Sequence, residues 1–243
     1  MARRAPRIGD IFGELRHAPG AALTVLILPT AVFVIHDLTR IGSSTLSANF
    51  FLASLIVLAV LGAALNQMAR GLADDLSGHW GERTDLPVGS LKALIAARAK
   101  GTVVLAAMAM APLFAVAFLI SPVGLSAGSW LLLAASIVLG AVPIMLYGIV
   151  IALWFRDSAR PIATVSYFVL ALGGGLILPP QSMPVFIWRA AVILPSRHYG
   201  DVAWAPVLGW DLPAGNWLWL MCFAALFGAA VAVHLRRENS QPD

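Results

Sequence analysis

Residues 173–199 read GGGLILPPQSMPVFIWRAAVILPSRHY, and the reading of this stretch decides the fold. Proline lacks the N–H that a helix needs, so a straight membrane helix cannot pass Pro179, Pro180, Pro184 and Pro195. Yet the stretch stays apolar: between Met183 and Leu194 its only charge is Arg189. It is too apolar for a water-exposed loop and too broken for a span, so it reads as a re-entrant or interfacial hairpin. Unpaired backbone at membrane depth is tolerated only against protein or a wet cavity. The stretch is therefore expected to cap or line something.

The rest of the chain places that hairpin in a membrane. Only 12% of the 243 residues are charged and 60% are hydrophobic. Soluble domains carry about 25% charged residues, so a soluble fold is excluded. At about 20 residues per membrane helix, the length accommodates six spans with short loops and no large extramembrane domain. The net charge of +4 comes from basic residues beside apolar segments. They read as topology signals rather than as a nucleic-acid face. Cys222 is the sole cysteine, which rules out an intrachain disulfide and a cysteine-rich metal site. No cleavable signal pattern is expected, because the start is basic and amphipathic and its first apolar run is followed by more spans.

Residues 6–17 put Ile8, Ile11, Phe12 and Leu15 at i, i+3, i+4 and i+7, the pattern of an interfacial amphipathic helix. Spans are expected over 18–35 and 49–68. Two more fall within 101–155, which carries no Asp, Glu, Lys or Arg, and the last two cover 162–178 and 215–235. The expected fold is all-α: one transmembrane domain over 1–243 with six spans, an N-terminal interfacial helix over 6–17, a polar loop over 70–100 and the broken hairpin over 179–199. With the N-terminus inside, three of the 16 Lys and Arg (Arg40, Arg189 and Arg197) fall outside and the other 13 inside. The positive-inside rule then sets both termini in the cytoplasm. Gly173, Gly174 and Gly175 permit close helix contact or local unwinding.

Little in the chain reads as catalytic. It has no G-x-x-x-x-G-K-[ST] loop to cradle ATP, no H-E-x-x-H and no G-x-S-x-G. Its histidines, His17, His36, His79, His198 and His234, have no metal-ligand spacing. His198 and Asp201 form an i, i+3 pair, readable as a dyad or as a hydrogen bond at a helix start. Asn66 and Gln67 are polar residues inside a span, readable as interhelical hydrogen-bonding groups or as a functional flag. The 70–100 loop is denser: Asp74, Asp75, Glu82, Arg83 and Asp85, then Leu86, Pro87 and Val88. Leu91, Leu94 and Ile95 then mark one face of a short helix. A merely solvated loop is the plain alternative to a docking element.

With these residues in view, the chain resembles the membrane subunits of the ABC-type-2 permease family, exporters of drugs, lipids and polysaccharides. The resemblance covers most of the chain. It is carried by Gly175-Leu-Ile-Leu-Pro179, Met183-Pro184, Trp188, Leu194-Pro195 and Tyr199, and by the 82–98 stretch. Arg83-Thr84-Asp85 stands where the family often has Gly-Thr-Leu, and Leu178-Pro179 where Phe-Pro is commoner. The resemblance implies a separate ABC ATPase subunit that binds ATP and Mg, this chain holding no cofactor of its own. It implies a second permease subunit, identical or related, a lipid surround in the cytoplasmic membrane and an amphipathic or lipid-like cargo. Glu82, Arg83, Asp85, Leu86, Pro87, Leu91 and Leu94 would then couple to the ATPase. Pro179, Met183, Pro184, Trp188, Pro195 and Tyr199 would form an outer gate. Two readings from other classes compete: a membrane enzyme using His198 and Asp201 at the outer face, and a membrane scaffold or assembly factor.

Overall fold

A helix that is apolar all the way round has no solvent face and needs other helices or lipid around it. Thr45–Asn66, TLSANFFLASLIVLAVLGAALN, is such a helix and forms the centre of the bundle. The computed structural model describes residues 28–39, 45–77, 88–119, 123–177 and 183–239, and every regular element among them is a helix. α1 is Leu28–Thr39 and α2 is Thr45–Asn66. A π turn at Gln67–Gly71 carries α2 straight into α3, Leu72–Ser77. α4 is Val88–Leu119 and α5 is Ala127–Trp154. A 3-10 turn at Arg156–Ser158 leads into α6, Ala159–Gly173. Then come α7, Val185–Ala191, α8, Pro195–Leu208, and α9, Ala214–Asn239.

Four helices among the described residues are long and apolar enough to cross a membrane: Thr45–Ser77, Leu91–Leu119, Ala127–Trp154 and Ala214–Arg237. They fall on the second, third, fourth and sixth expected spans. The first expected span lies mostly outside the described residues, and α1 holds 12 residues. The fifth falls on α6, whose 15 residues rise about 22 Å at 1.5 Å each, short of a hydrocarbon core of about 30 Å. The amphipathic helix over 6–17, together with Glu82, Arg83, Asp85, Leu86, Pro87 and Pro179, lies outside the described residues.

Burial ranks the helices. Of the apolar window of Thr45–Ser77, 83% is buried, against 11% for Ala214–Arg237, so α2 is central and α9 peripheral. α2 packs against α4, α5, α6 and α8. Small residues let the backbones close in. A Cβ on Gly148 of α5 would stand 2.8 Å from Met68 Cβ and 3.1 Å from the Leu65 carbonyl, so α5 crosses the π turn where only glycine fits. α5 starts at Ser126, whose Oγ accepts from the Ser129 N–H at 3.1 Å, an N-cap.

The helix does not stop at Arg70, where the charge pattern ends the second span. It continues to Ser77 because its polar residues find partners on neighbouring helices. Arg70 donates to Thr164 Oγ1, and Asp75 pairs with Arg98. The expected 70–100 loop is correspondingly narrower: residues 70–77 and 88–100 are helical, and α4 is continuous from Val88 rather than preceded by a separate short helix.

The α2–α5 crossing gives a stability test. Gly148→Ala is expected to lower the thermal midpoint of the purified protein. The same change at Gly228, where the nearest atom is 3.9 Å away, is expected to leave the midpoint unchanged or raise it, because helix propensity adds up to about 1 kcal/mol of stability.

Candidate functional site

Eleven of the 14 residues of α8 are buried, although its sequence PSRHYGDVAWAPVL is far more polar than any span. A polar group inside an apolar bundle is costly unless hydrogen-bonded, and α8 meets that condition almost residue by residue. Pro195 opens it at the first turn, where its missing N–H costs nothing. Ser196 Oγ donates to the Leu170 carbonyl of α6 at 2.7 Å. Tyr199 OH donates to the Ile137 carbonyl of α5 at 2.8 Å. Trp204 Nε1 donates to Ser54 Oγ of α2 at 2.8 Å, and Asn49 Nδ2 donates to the Val207 carbonyl at 3.1 Å. Three neighbouring helices are thereby tied to one short helix.

Glycines make room for it. A Cβ on Gly140 would stand 2.3 Å from the Tyr199 ring. One on Gly174 would stand 2.5 Å from Ser196 Oγ, and one on Gly173 2.6 Å from Leu194. Gly175 has φ 78, the left-handed conformation that ends α6. Of the two uses open to the triple glycine, Gly173 and Gly174 serve close contact and Gly175 serves the turn.

Beside α8 opens a cavity of about 420 Å³. Phe50, Met183, Trp188, Trp204 and Trp210 give it apolar walls, and Arg197 and Asp201 give it a polar edge. Arg197 Nε lies 3.1 Å from Asp201 Oδ2 and Nη2 3.0 Å from Oδ1, and the guanidinium lies 5.6 Å from the Trp204 ring centroid, a cation–π distance. Phe50 stacks on Trp204 at 4.9 Å. Asn216 Oδ1 of α9 faces His198 Nδ1 at 3.2 Å, while His198 Nε2 faces the Val192 carbonyl at 2.8 Å. Two buried atoms here have no hydrogen-bond partner among the described residues: Arg197 Nη1 and Asn49 Oδ1.

The opposite end of the bundle, around α3, is held by charge. Arg98 of α4 grips Asp75 through Nε at 2.6 Å and Nη2 at 2.7 Å, with only 5% and 17% of the two side chains exposed. Arg160 of α6 pairs with Asp74 at 2.9 Å, but both are exposed, so this pair contributes little. Asp74 and Asp75, read from the sequence as part of a charged loop, instead join α3 to α6 and α4.

The residues expected to form a gate divide into two groups. Met183 and Trp188 line the cavity, and Pro184 caps the start of α7. Pro195 starts α8, and Tyr199 is fully buried on Gly140. Of the residues expected to couple to an ATPase, Leu91 and Leu94 belong to this chain's own core, at 3% and 1% exposure. His198 and Asp201 make no dyad, since their side chains bond to other groups. Asn49, Ser54, Gly140 and Trp204 carry the α8 contacts and were missed; two polar residues five apart near the start of an apolar span were the available signal.

No family model matches the chain, and no solved structure matches it. The chain is 28% identical over 190 residues to the "Putative transport permease YvfS" of Bacillus subtilis (strain 168), covering 78% of this chain and 77% of that protein. The chain is a multi-pass membrane protein, helical in every regular element among the described residues, and similar to a transport permease. Among the described residues there is no group of three or more His, Cys, Asp or Glu able to hold a metal ion. The side chains brought together around α8 thus form an aromatic cavity with an ion pair at its edge.

The Trp204–Ser54 bond is open to a double-mutant cycle. Ser54→Ala leaves a buried indole N–H unpaired and is expected to cost about 1–3 kcal/mol. Trp204→Phe is expected to be destabilising too, and the double variant to lose less than the sum of the two. Denaturant unfolding in matched micelles reads all three.

Proposed function

We propose that the chain is the permease subunit of an ATP-binding cassette exporter, moving an amphipathic or lipid-like substrate out of the cytoplasm or the inner leaflet. A separate ATPase subunit hydrolyses the ATP, and two permease subunits, identical or related, form the route. The observation that carries this reading is the similarity to a transport permease over most of both chains, joined to the pair of short helices between α6 and α9. α7 has seven residues and α8 has 14. At 1.5 Å per residue they rise about 10 and 21 Å, too little to cross about 30 Å of hydrocarbon. In this reading they are the re-entrant hairpin expected between the fifth and sixth of six spans, at the outer end of a bundle whose two termini are cytoplasmic.

The mechanism follows from the two ends of the bundle. ATP-driven closure of the ATPases would press on the residues between α3 and α4, where Glu82, Arg83, Asp85, Leu86 and Pro87 lie. Buried Leu91 and Leu94 would carry that push into α4, because core side chains cannot yield independently of their helix. The Asp75–Arg98 pair would make α3 and α4 move as one. Displacement of α2 would then reach α8 through the Ser54 and Asn49 bonds and open or close the route beside Met183, Pro184 and Trp188. The membrane-enzyme reading finds no support in the side chains, because His198 and Asp201 are each engaged elsewhere. No observation favours a scaffold.

Co-expression with an ABC ATPase from the same genome tests the proposal. A stable complex is expected, with ATP hydrolysis stimulated over the ATPase alone and cargo uptake into inverted vesicles. Charge reversal at Glu82 or Asp85 is expected to uncouple hydrolysis from uptake at matched membrane levels. Full stimulation and full uptake in those variants would remove the coupling role.

A further inference from the structure

We propose that the end of the bundle where α5 and α9 finish holds the headgroup of an anionic phospholipid, with Arg237 as its donor and Trp154 as its rim. The lipid so held is a standing neighbour rather than a cargo, so the assignment stands apart from the exporter reading. α9 is the peripheral helix, with 11% of its apolar window buried. In a membrane such a helix has lipid along most of its length. Leu226, Val233 and Arg237 fall at i, i+7 and i+11, on one face of α9, and all three are exposed. That separation rises about 16 Å, roughly half of a hydrocarbon core of about 30 Å. The face is therefore apolar over the depth of one leaflet and then cationic. A phospholipid has the matching profile, an acyl chain followed by a phosphate.

Trp154, the last residue of α5, stands at the cationic end of that face. Its ring centroid lies 6.0 Å from the Arg237 guanidinium, a cation–π distance, and 6.0 Å from the His234 ring. The indole is half exposed, as suits a ring at the water boundary of a bilayer. Contact with the indole uses the flat face of the guanidinium and leaves its N–H edge to donate. A phosphate accepts two parallel N–H bonds from such an edge. A zwitterionic headgroup carries its own ammonium, which offsets the attraction. Exposed Arg156 and Arg236 add positive charge at the same end, against Asp157, and basic helix ends of this kind draw anionic lipid. The plain alternative is a diffuse basic surface, which would use Arg236 and Arg237 alike. Arg236 lies about 100° round the helix from Arg237, and the indole contact belongs to Arg237.

The test uses the full chain in phosphatidylcholine nanodiscs with 5-fluorotryptophan at its eight tryptophans, the resonances assigned by single Trp→Phe variants. Replacing phosphatidylcholine stepwise by phosphatidylglycerol is expected to shift the Trp154 resonance saturably and to leave that of Trp204, buried in α8, in place. Arg237→Gln is expected to raise the phosphatidylglycerol fraction at half-shift roughly tenfold. Arg236→Gln is expected to change it by less than about twofold, as for an exposed charge outside the contact. An unmoved Trp204 resonance in both variants shows that the bundle is intact. Three results would each overturn the proposal. The first is no saturable shift at Trp154. The second is an equal effect of the two substitutions, which means diffuse attraction. The third is the same shift when glycerophosphate is added to pure phosphatidylcholine discs, which means a free anion in place of a lipid.

Discussion

A hydrogen-bonding group carried into an apolar bundle must find its partner there, because neither lipid tails nor aliphatic side chains can supply one. α8 is the element on which that constraint falls hardest. Its serine, histidine, tyrosine and tryptophan all lie inside the protein, and four helices meet α8. Ser54 and Asn49 come from α2, the Ile137 carbonyl from α5, the Leu170 carbonyl from α6 and Asn216, facing His198, from α9. Each of these contacts fixes α8 in depth and rotation, which uniform apolar packing cannot do, since one leucine face resembles the next. The two buried atoms left without partners near α8, Arg197 Nη1 and Asn49 Oδ1, belong to the cavity wall and to the α2 seat.

The two ends of the bundle therefore differ in kind. Around α3 the helices are joined by the Arg98–Asp75 pair and by Arg70 on Thr164, charged contacts that hold specific partners. Removing one member of a buried pair strands the other at a cost of about 3–5 kcal/mol, so this end is firmly joined. Around α8 the contacts to neighbouring helices are neutral hydrogen bonds and aromatic stacking, and the Arg197–Asp201 ion pair lies within α8 beside an open cavity. α2 runs between the two ends, buried over most of its length, and the π turn at Gln67–Gly71 lies where α5 crosses it. A displacement at α3 has a direct mechanical path to the α8 seat along a single helix.

How much of this was legible in the sequence differs by element. The long apolar runs identified α2, α4, α5 and α9, because a membrane helix announces itself by length and hydropathy. The prolines located the break after α6 and the start of α7. The burial of α8 was not legible: its composition is polar, and only the partners supplied by distant residues make its depth affordable. Trp204 and Ser54 are 150 positions apart, and nothing local to either points to the other. For the same reason Arg70 read as the end of a span, since its partner Thr164 belongs to another helix. Gly140 was one small residue among many until Tyr199 was seated on it.

The central claim is that α8 lies inside the bundle rather than on its surface, and thiol accessibility tests it most directly. In a Cys222→Ala background, which removes the exposed native thiol, single cysteines are placed at Ala203, fully buried in α8, and at Asp211, a charged and exposed position just after it. The protein in native membranes is treated with a membrane-impermeant maleimide. Rapid labelling at position 211 and none at position 203 until the protein is denatured is the expected result; equal labelling rates at the two positions would contradict the account.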